Sequence, residues 1–447
     1  MSNPPSTATA AAPRSLGREE YKTLSLSALG GTLEFYDFVV FVFFSVALGH
    51  LFFPPSMPDW MVQLQTLGIF AAGYLARPVG GIVIAHFGDK LGRKRMFSLS
   101  IFLMSAPTLI IGLLPTYESI GIAAPLLLLA MRVLQGAAIG GEMPGAWVFV
   151  AEHVPAKNFG FGIGVLTSGI CGGILLGSLV AIAINHQFST DEIHAWAWRI
   201  PFILGGVFGL LSVYLRRFLS ETPVFKELEA TRAVAKELPV KTVLREHRAA
   251  SLVTAAMTWS LSTAVVVLIL MTPVVLQKAY KIPATTAMQA NCIATLLLVI
   301  GCAVFGWFSD RFGTGKALLV SWGGLALSTY HFFSSLPGIS DGQLMLNYGV
   351  MGFFVGAIAT MPIVGVRAFP PVIRFSGLSF SYNVAYAIFG GLTPVLTQMW
   401  LQHDRMAAAH YVTVVSVLAM ALAFVPVATK GWTALANKTA GRNAQAQ

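Results

Sequence analysis

The sequence predicts an all-α polytopic membrane protein, with twelve transmembrane helices in two six-helix bundles and both chain ends cytoplasmic. Three observations lead there. Of its 447 residues, 55% are hydrophobic and only 11% charged, where a soluble chain carries about 25% charged residues, and the mean hydropathy is +0.71. The apolar residues fall into runs of about 20 or more, the length that crosses a bilayer as helix. A charged-loop pattern also recurs in the two halves, its aspartates 221 positions apart, as in a chain built from two like units.

Taken in order, the apolar runs lie at about 23–49, 61–87, 96–115, 121–150, 160–185, 198–217, 250–276, 287–309, 316–335, 343–367, 376–400 and 408–428. Ahead of them, residues 1–22 are rich in Ser, Pro and Ala and read as a flexible cytoplasmic tail. No short apolar core with a cleavage site precedes the first run. Six runs make one bundle over 23–217 and six a second over 250–428. Residues 218–249 between them form a charged cytoplasmic loop in which Thr222-Pro223 marks a helix start. Residues 429–447 form a cytoplasmic tail, too short and too poor in apolar heptad positions for a coiled coil.

Lysine and arginine set the orientation. Lys90, Arg93, Lys94, Arg95, Lys157, the 218–249 cluster, Arg311, Lys316 and Arg374 fall on the side of the chain ends, joined by Lys430, Lys438 and Arg442. The other side carries only Lys278, Lys281 and Arg405, with Arg199 at a boundary. Basic loops stay inside, so both ends are expected in the cytoplasm. A net charge of +10 would point to nucleic acid in a soluble chain. Here the basic residues are scattered among short loops rather than gathered on one face, which excludes that class. Cys171, Cys292 and Cys302 lie in apolar runs and read as small core residues. No metal-ligand spacing, nucleophile–base pair or nucleotide loop stands out, so neither an enzyme nor a cofactor is expected.

The costly choice lies in the first run, at Leu33-Glu34-Phe35-Tyr36-Asp37. Glu34 stands about 16 Å into that run at about 1.5 Å per residue, near the bilayer midplane. An ionised carboxylate there costs roughly 3 kcal/mol and needs a partner, a proton or water. Glu34 and Asp37, at i and i+3, share a helix face. Arg132 reaches the same depth in the fourth run. Two acids and one arginine leave one acid paired and the other able to take a proton. The alternative is a static ion pair that fixes helix packing. Arg77, two-thirds along the second run, has a stem long enough to snorkel toward the cytoplasm. Thr258, Trp259, Ser260, Ser262 and Thr263 in the seventh run, Gln289 and Asn291 in the eighth, and Ser379, Ser381, Tyr382, Asn383 and Tyr386 in the eleventh offer hydrogen bonds or ring faces to a substrate. Ordinary interhelical bonding is the other use for them.

The repeated loop is Ala85-His86-Phe87-Gly88-Asp89-Lys90-Leu91-Gly92-Arg93-Lys94, echoed by Gly306-Trp307-Phe308-Ser309-Asp310-Arg311-Phe312-Gly313. A fainter echo joins Glu152 and Pro155 to Arg367 and Pro370. The loops resemble the G-x-x-x-D-(R/K)-x-G-R-(R/K) signature of the major facilitator superfamily, with Ala85 where the first glycine normally stands. Further runs are similar to its metabolite:proton symporter family, which includes proline/betaine, α-ketoglutarate, citrate and shikimate carriers. They are Leu33–Asp37, Arg77-Pro78 with Gly80-Gly81, Arg132 with Gln135-Gly136 and Gly140-Gly141-Glu142, Trp198-Arg199 with Pro201-Phe202, Glu221-Thr222-Pro223, and Ser376-Gly377 with Tyr382-Asn383 and Gly390-Gly391.

The resemblance implies a monomeric, multi-pass carrier in a bacterial inner membrane that works by alternating access. Its partners are the lipid bilayer, protons and a small organic acid or zwitterion taken up by symport. Glu34, Tyr36, Asp37, Arg132, Gln135, Glu142, Tyr382 and Asn383 are the implied proton-coupling and substrate-cavity residues. For Glu142 the choice is between proton exit and a packing hydrogen bond, and for Arg77 family context favours a pair within the first half. Gly81, Ala85, Asp89, Lys90, Gly92, Arg93, Lys94, Gly306, Asp310, Arg311 and Gly313 are the implied cytoplasmic gate. Small residues there let helices approach, and Asp89 suits a helix N-terminus or a nearby arginine. Lys90 to Arg95 would also serve merely to enforce topology. Arg367 stands where the family usually has glutamate, so an acidic gate in the second half does not carry over. Drug:proton antiport is the nearest rival, but the fifth-run antiporter signature lacks its proline at Ser168-Gly169-Ile170-Cys171-Gly172-Gly173. A membrane sensor would need a signalling domain beyond short tails.

Overall fold

A computed structural model of the chain describes residues 16–216, 218, 221–222, 227 and 239–431. Helix stands at every one of the twelve apolar runs, and no strand occurs among the described residues. Span one is Arg18–Phe43, continued after Phe44 by Ser45–Phe52. Spans two to six are Asp59–Leu91, Arg93–Leu113, Ala123–His153, Phe159–Gln187 and Arg199–Arg216. Spans seven to twelve begin with Arg248–Thr263, Ala284–Phe312, Thr314–Ser335, Asp341–Val355, Arg374–Ala385 and Ala407–Ala421. Ten described helices are long and apolar enough to cross a membrane, or eleven if Thr190–Ala197 and Arg199–Leu215, bent by 46°, form one span. Thr314–Ser335, at 22 residues, is long enough but dilutes its apolar residues with Lys316, Ser321, Thr329 and His331. The helix start expected at Thr222-Pro223 runs into residues outside those described; farther along the same loop a helix stands at Pro239–Glu246.

Local chemistry explains where the hydrogen-bond ladder of the spans changes register. Span seven passes through a π turn at Ala264–Met271 just before Pro273, and span eleven through one at Tyr386–Gly390 just before Pro394. Proline lacks an N–H, so the carbonyl four residues back loses its α-helical partner and the ladder shifts. In span seven the Val267 carbonyl accepts from both the N–H of Thr272, five residues on, and its hydroxyl at 2.8 Å, which holds the shifted register. The turns after spans two and eight both rest on glycine, Gly92 at φ 111° and Gly313 at φ 90°, where a Cβ would be strained.

Glycine also sets the helix spacing. A Cβ on Gly136 would overlap the carbonyl of Gly73, and one on Gly140 that of Arg77, so spans two and four touch backbone to backbone. Across the halves, spans five and eight meet the same way through Gly160, Gly164 and Gly306. At the related junction of spans two and eleven, Phe375 fills the slot instead, packed on Ile84, Ala85 and Met96. A side chain rather than bare backbone crosses there, which is why alanine suffices at 85.

Candidate functional site

Between the halves, level with the middle of the spans, lies a cavity of about 40 Å³. Phe35, Phe38, Arg77 and Trp147 wall it from the first half, and Tyr382 and Tyr386 from the second. Tyr382 and Tyr386 share a helix face at i and i+4, as do Tyr74 and Arg77 at i and i+3. The rings interlock. Tyr74 stacks on Tyr386 with centroids 5.7 Å apart, and Trp147 meets Tyr382 edge-on at 5.2 Å. Arg77 is only 2% exposed, so it does not snorkel. Nor does it pair with an acid of the first half. Its guanidinium stacks on Tyr74 of its own helix and on Tyr382 and Tyr386 of the other half, because the tyrosines reach it before the headgroup region does.

The acids of span one face elsewhere. Ser212 of span six donates to Glu34 Oε1 at 2.6 Å, and the Tyr36 hydroxyl donates to the Pro201 carbonyl at 3.0 Å. Asp37 lies against Gly205 of span six, beside Thr108 of span three. All three point into the first bundle, not into the cavity, which corrects the expectation of Tyr36 as a cavity residue. Arg132 donates to Gln135 Oε1 at 2.9 Å, and Gln135 Nε2 donates to Thr108 Oγ1 at 2.6 Å. A polar seam thus runs Arg132–Gln135–Thr108 and ends next to Asp37. The expected ion pair between Arg132 and a carboxylate is not formed. Gln135, one turn along the same helix, takes the guanidinium, and the rings of Phe38, Phe41 and Phe70 cover it, Phe41 at 4.2 Å. Phe38 touches both Arg132 and the cavity, so one ring separates the seam from the cavity. Glu142 is buried lower on span four.

The basic end of the molecule is closed by bonds between the halves. Asp89 Oδ2 accepts from the backbone N–H of Ser376 at 2.9 Å and from its hydroxyl at 2.8 Å, at the start of the Arg374–Ala385 helix. Asp310 accepts from the N–H groups of Gly160 and Phe161, both at 2.7 Å, at the start of span five. Each carboxylate meets orphan N–H groups at the positive end of a helix dipole. Arg374 pairs with Glu152 at 3.0 Å. Nearer the cavity, Ser379 donates to the carbonyls of Gly81 and Gly140, and Asn383 Nδ2 to Gly140 at 2.6 Å. Asn383 is therefore part of this seal rather than of the cavity wall.

Not every gate residue has such a partner. Lys90 and Arg311 lie at the rim, partly or fully exposed. The Arg93 side chain lies outside those described. The backbone N–H of Lys94 donates to Glu221, which caps span three. Arg367 donates to Thr314 at 2.9 Å and lies over Phe159 at 4.3 Å. Phe159 holds the place in the repeat that Arg374 holds in the other half, so a cation on a ring replaces an ion pair.

Several contributors carried no local signal. Ser212, Thr108, Trp147 and Tyr74 read as ordinary membrane residues, and only tertiary placement singles them out. The polar groups of span seven are used within the second half: Thr258 donates to the Thr254 carbonyl, Ser260 to that of Val415, and Trp259 to Tyr411. Asn291 accepts from Tyr348. Among the described residues, no group of three or more His, Cys, Asp or Glu side chains is placed to hold a metal ion.

The chain is 35% identical over 424 residues to a putative proline/betaine transporter of Staphylococcus aureus, covering 92% of this chain and 89% of that one. It is 32% identical to a glycine betaine/proline/ectoine/pipecolic acid transporter of Dickeya dadantii, covering 89% of this chain and 81% of the relative. Among solved structures, a proton:xylose symporter bound to a bromodeoxyglucose shares its fold with a TM-score of 0.75 at 16% identity, covering 93% of this chain and 99% of the other. Residues 39–394 match the Major Facilitator Superfamily, and the chain belongs to that family.

Proposed function

We propose that the chain is a proton-coupled symporter that imports a small zwitterion by alternating access. The observation that carries this reading is the cavity itself. It lies between the two halves, brings five aromatic rings and one arginine together among aliphatic side chains, and is closed off from the basic end by bonds that join the halves. Aromatic faces suit an alkylammonium and an arginine suits a carboxylate. The relatives named for proline and betaine support the same chemistry. By the distribution of Lys and Arg the basic end is cytoplasmic, so the cytoplasmic path is the closed one. Opening it requires the two aspartate caps, the Arg374–Glu152 pair and the Ser379 and Asn383 bonds to part. Glu34 and Asp37 are the proton carriers, and Asp37 stands at the end of the seam that runs from Arg132 through Gln135 to Thr108. The cavity lies between the two halves of one chain, which supports the monomer as the working unit.

Purified protein in proteoliposomes tests this. An acidic exterior should drive accumulation of radiolabelled glycine betaine or proline, and a protonophore should abolish it. Accumulation that ignores the gradient overturns symport, and substrate expelled against entering protons would identify an antiporter.

A further inference from the structure

Arg77 is a buried cation on the cavity wall with no anion beside it. It makes one long hydrogen bond, 3.4 Å to the Tyr382 hydroxyl, and Nε has no hydrogen-bond partner. Among the described residues no carboxylate lies within ion-pair reach. What holds the guanidinium is a set of ring faces: Tyr386 at 4.3 Å, Tyr74 at 5.5 Å and Tyr382 at 5.6 Å. Guanidinium presents five donors in a planar fork that fits a carboxylate, and a buried charge left unpaired is costly. The same ring faces would attract an alkylammonium. The cavity, at about 40 Å³, holds a water or a few and must enlarge to admit anything bigger.

We propose that Arg77 is the carboxylate-binding residue of the substrate site, and that the three tyrosines hold first its guanidinium and then the substrate's ammonium. This assignment rests on the transport reading above. The incoming carboxylate draws the guanidinium off Tyr386 into a two-pronged pair. The vacated faces receive the ammonium, and the space the guanidinium leaves enlarges the cavity. Arg77 belongs to the first half, and Tyr382 and Tyr386 to the second. The empty site is therefore tied across the middle by Arg77 on the rings, and the loaded site by the substrate. Arg132 is unsuited to this role, because Phe38 stands between it and the cavity and Gln135 occupies it.

The test compares binding of glycine betaine and its methyl ester, which differ in the carboxylate charge, to the purified full-length protein by calorimetry. The wild type should prefer the free acid by at least about 30-fold, the range of a buried charge pair. Arg77→Gln should bring the two affinities to within about 3-fold of each other, a ratio that does not depend on the folded fraction. Arg77→Lys keeps the charge and loses the fork. It should bind glycine betaine about 10-fold more weakly and the ester as before, and it reports even if the glutamine variant does not fold. A wild type that binds neither glycine betaine nor proline overturns the transport reading and this assignment together. A wild type that binds glycine betaine, beside Arg77 variants that keep its full preference, overturns the assignment alone.

Discussion

Asp89 holds Ser376 of the opposite half by two hydrogen bonds, 2.9 Å to its backbone N–H and 2.8 Å to its hydroxyl. Asp310 repeats the arrangement in the other direction, on Gly160 and Phe161. Hydrogen bonds to a charged group contribute roughly 1.5–3 kcal/mol each, so either clasp alone is worth a tenfold or greater bias between closed and open forms. Asp89→Ala should speed amide hydrogen exchange at residues 374–378 by at least about 10-fold while leaving 159–163 slower to respond. Asp310→Ala should do the reverse. Equal effects at both helix ends in both variants would mean that the clasps are not local.

Gly81→Ala should loosen the same end by crowding. An added Cβ would lie 2.5 Å from Asn383 Nδ2 and 2.8 Å from Ser379 Oγ, side chains of the other half, and less tightly, at 2.9 Å, from the Gly140 carbonyl of its own bundle. Those side-chain tips must give up their bonds to the Gly81 and Gly140 carbonyls to retreat, which loosens the hold of span eleven. Gly140→Ala meets the Arg77 backbone within its own bundle, where nothing can retreat cheaply, and overpacking of this kind typically costs about 1–3 kcal/mol or more. The expected contrast is folded protein with a wider opening at the basic end for Gly81→Ala, measured by thiol labelling, and a lower melting temperature for Gly140→Ala.

Asp37→Asn changes one oxygen to an amide and removes a titratable proton at nearly constant volume. Uphill uptake should fall at least about 10-fold while exchange of labelled for unlabelled substrate persists, since exchange needs no net proton movement. Glu34→Gln keeps an acceptor for the Ser212 hydroxyl, which now bonds Glu34 at 2.6 Å, so it should fold as well as Asp37→Asn. Loss of folded protein in both would favour a purely structural role for the pair.

The second half inverts a charge, and a double substitution can test whether this matters. Arg367→Glu places an acid in the neighbourhood of Asp310 and removes the cation from the Phe159 ring. It should destabilise the closed form by about 1–3 kcal/mol. Adding Phe159→Arg recreates the pairing seen between Arg374 and Glu152 and should recover most of the loss. The coupling is read from a double-mutant cycle on thermal stability. Additive effects would show that the two positions do not communicate.

The spans were legible because few structures besides a membrane-crossing helix need an apolar run of bilayer length. Gly92 and Gly313 recur in the repeated loop, but the motif was read for its gate and not for the positive φ that both glycines adopt. Asp89 was legible as a helix-end ligand, but not which helix it holds, since Ser376 lies 287 positions away. Depth along a helix put Glu34, Asp37 and Arg132 on one level. It said nothing of azimuth, and the acids turn toward span six while Gln135 and three phenylalanines claim Arg132. Arg77 was misjudged for the same reason. A stem long enough to snorkel describes reach, whereas the outcome depended on tyrosines 305 and more positions later.

Both aspartate clasps grip main-chain amides at helix starts, with the Ser376 hydroxyl as a second donor to Asp89, and this bears on how the carrier can unlatch. A fastener made from main-chain groups does not depend on any interlocking shape that must be prised apart. As the bundles rock, water can solvate the carboxylate and the amides at the same moment, so neither side is stranded. Unlatching then exchanges bonds between protein groups for bonds to water, and relatives could vary the side chains around each clasp without losing it.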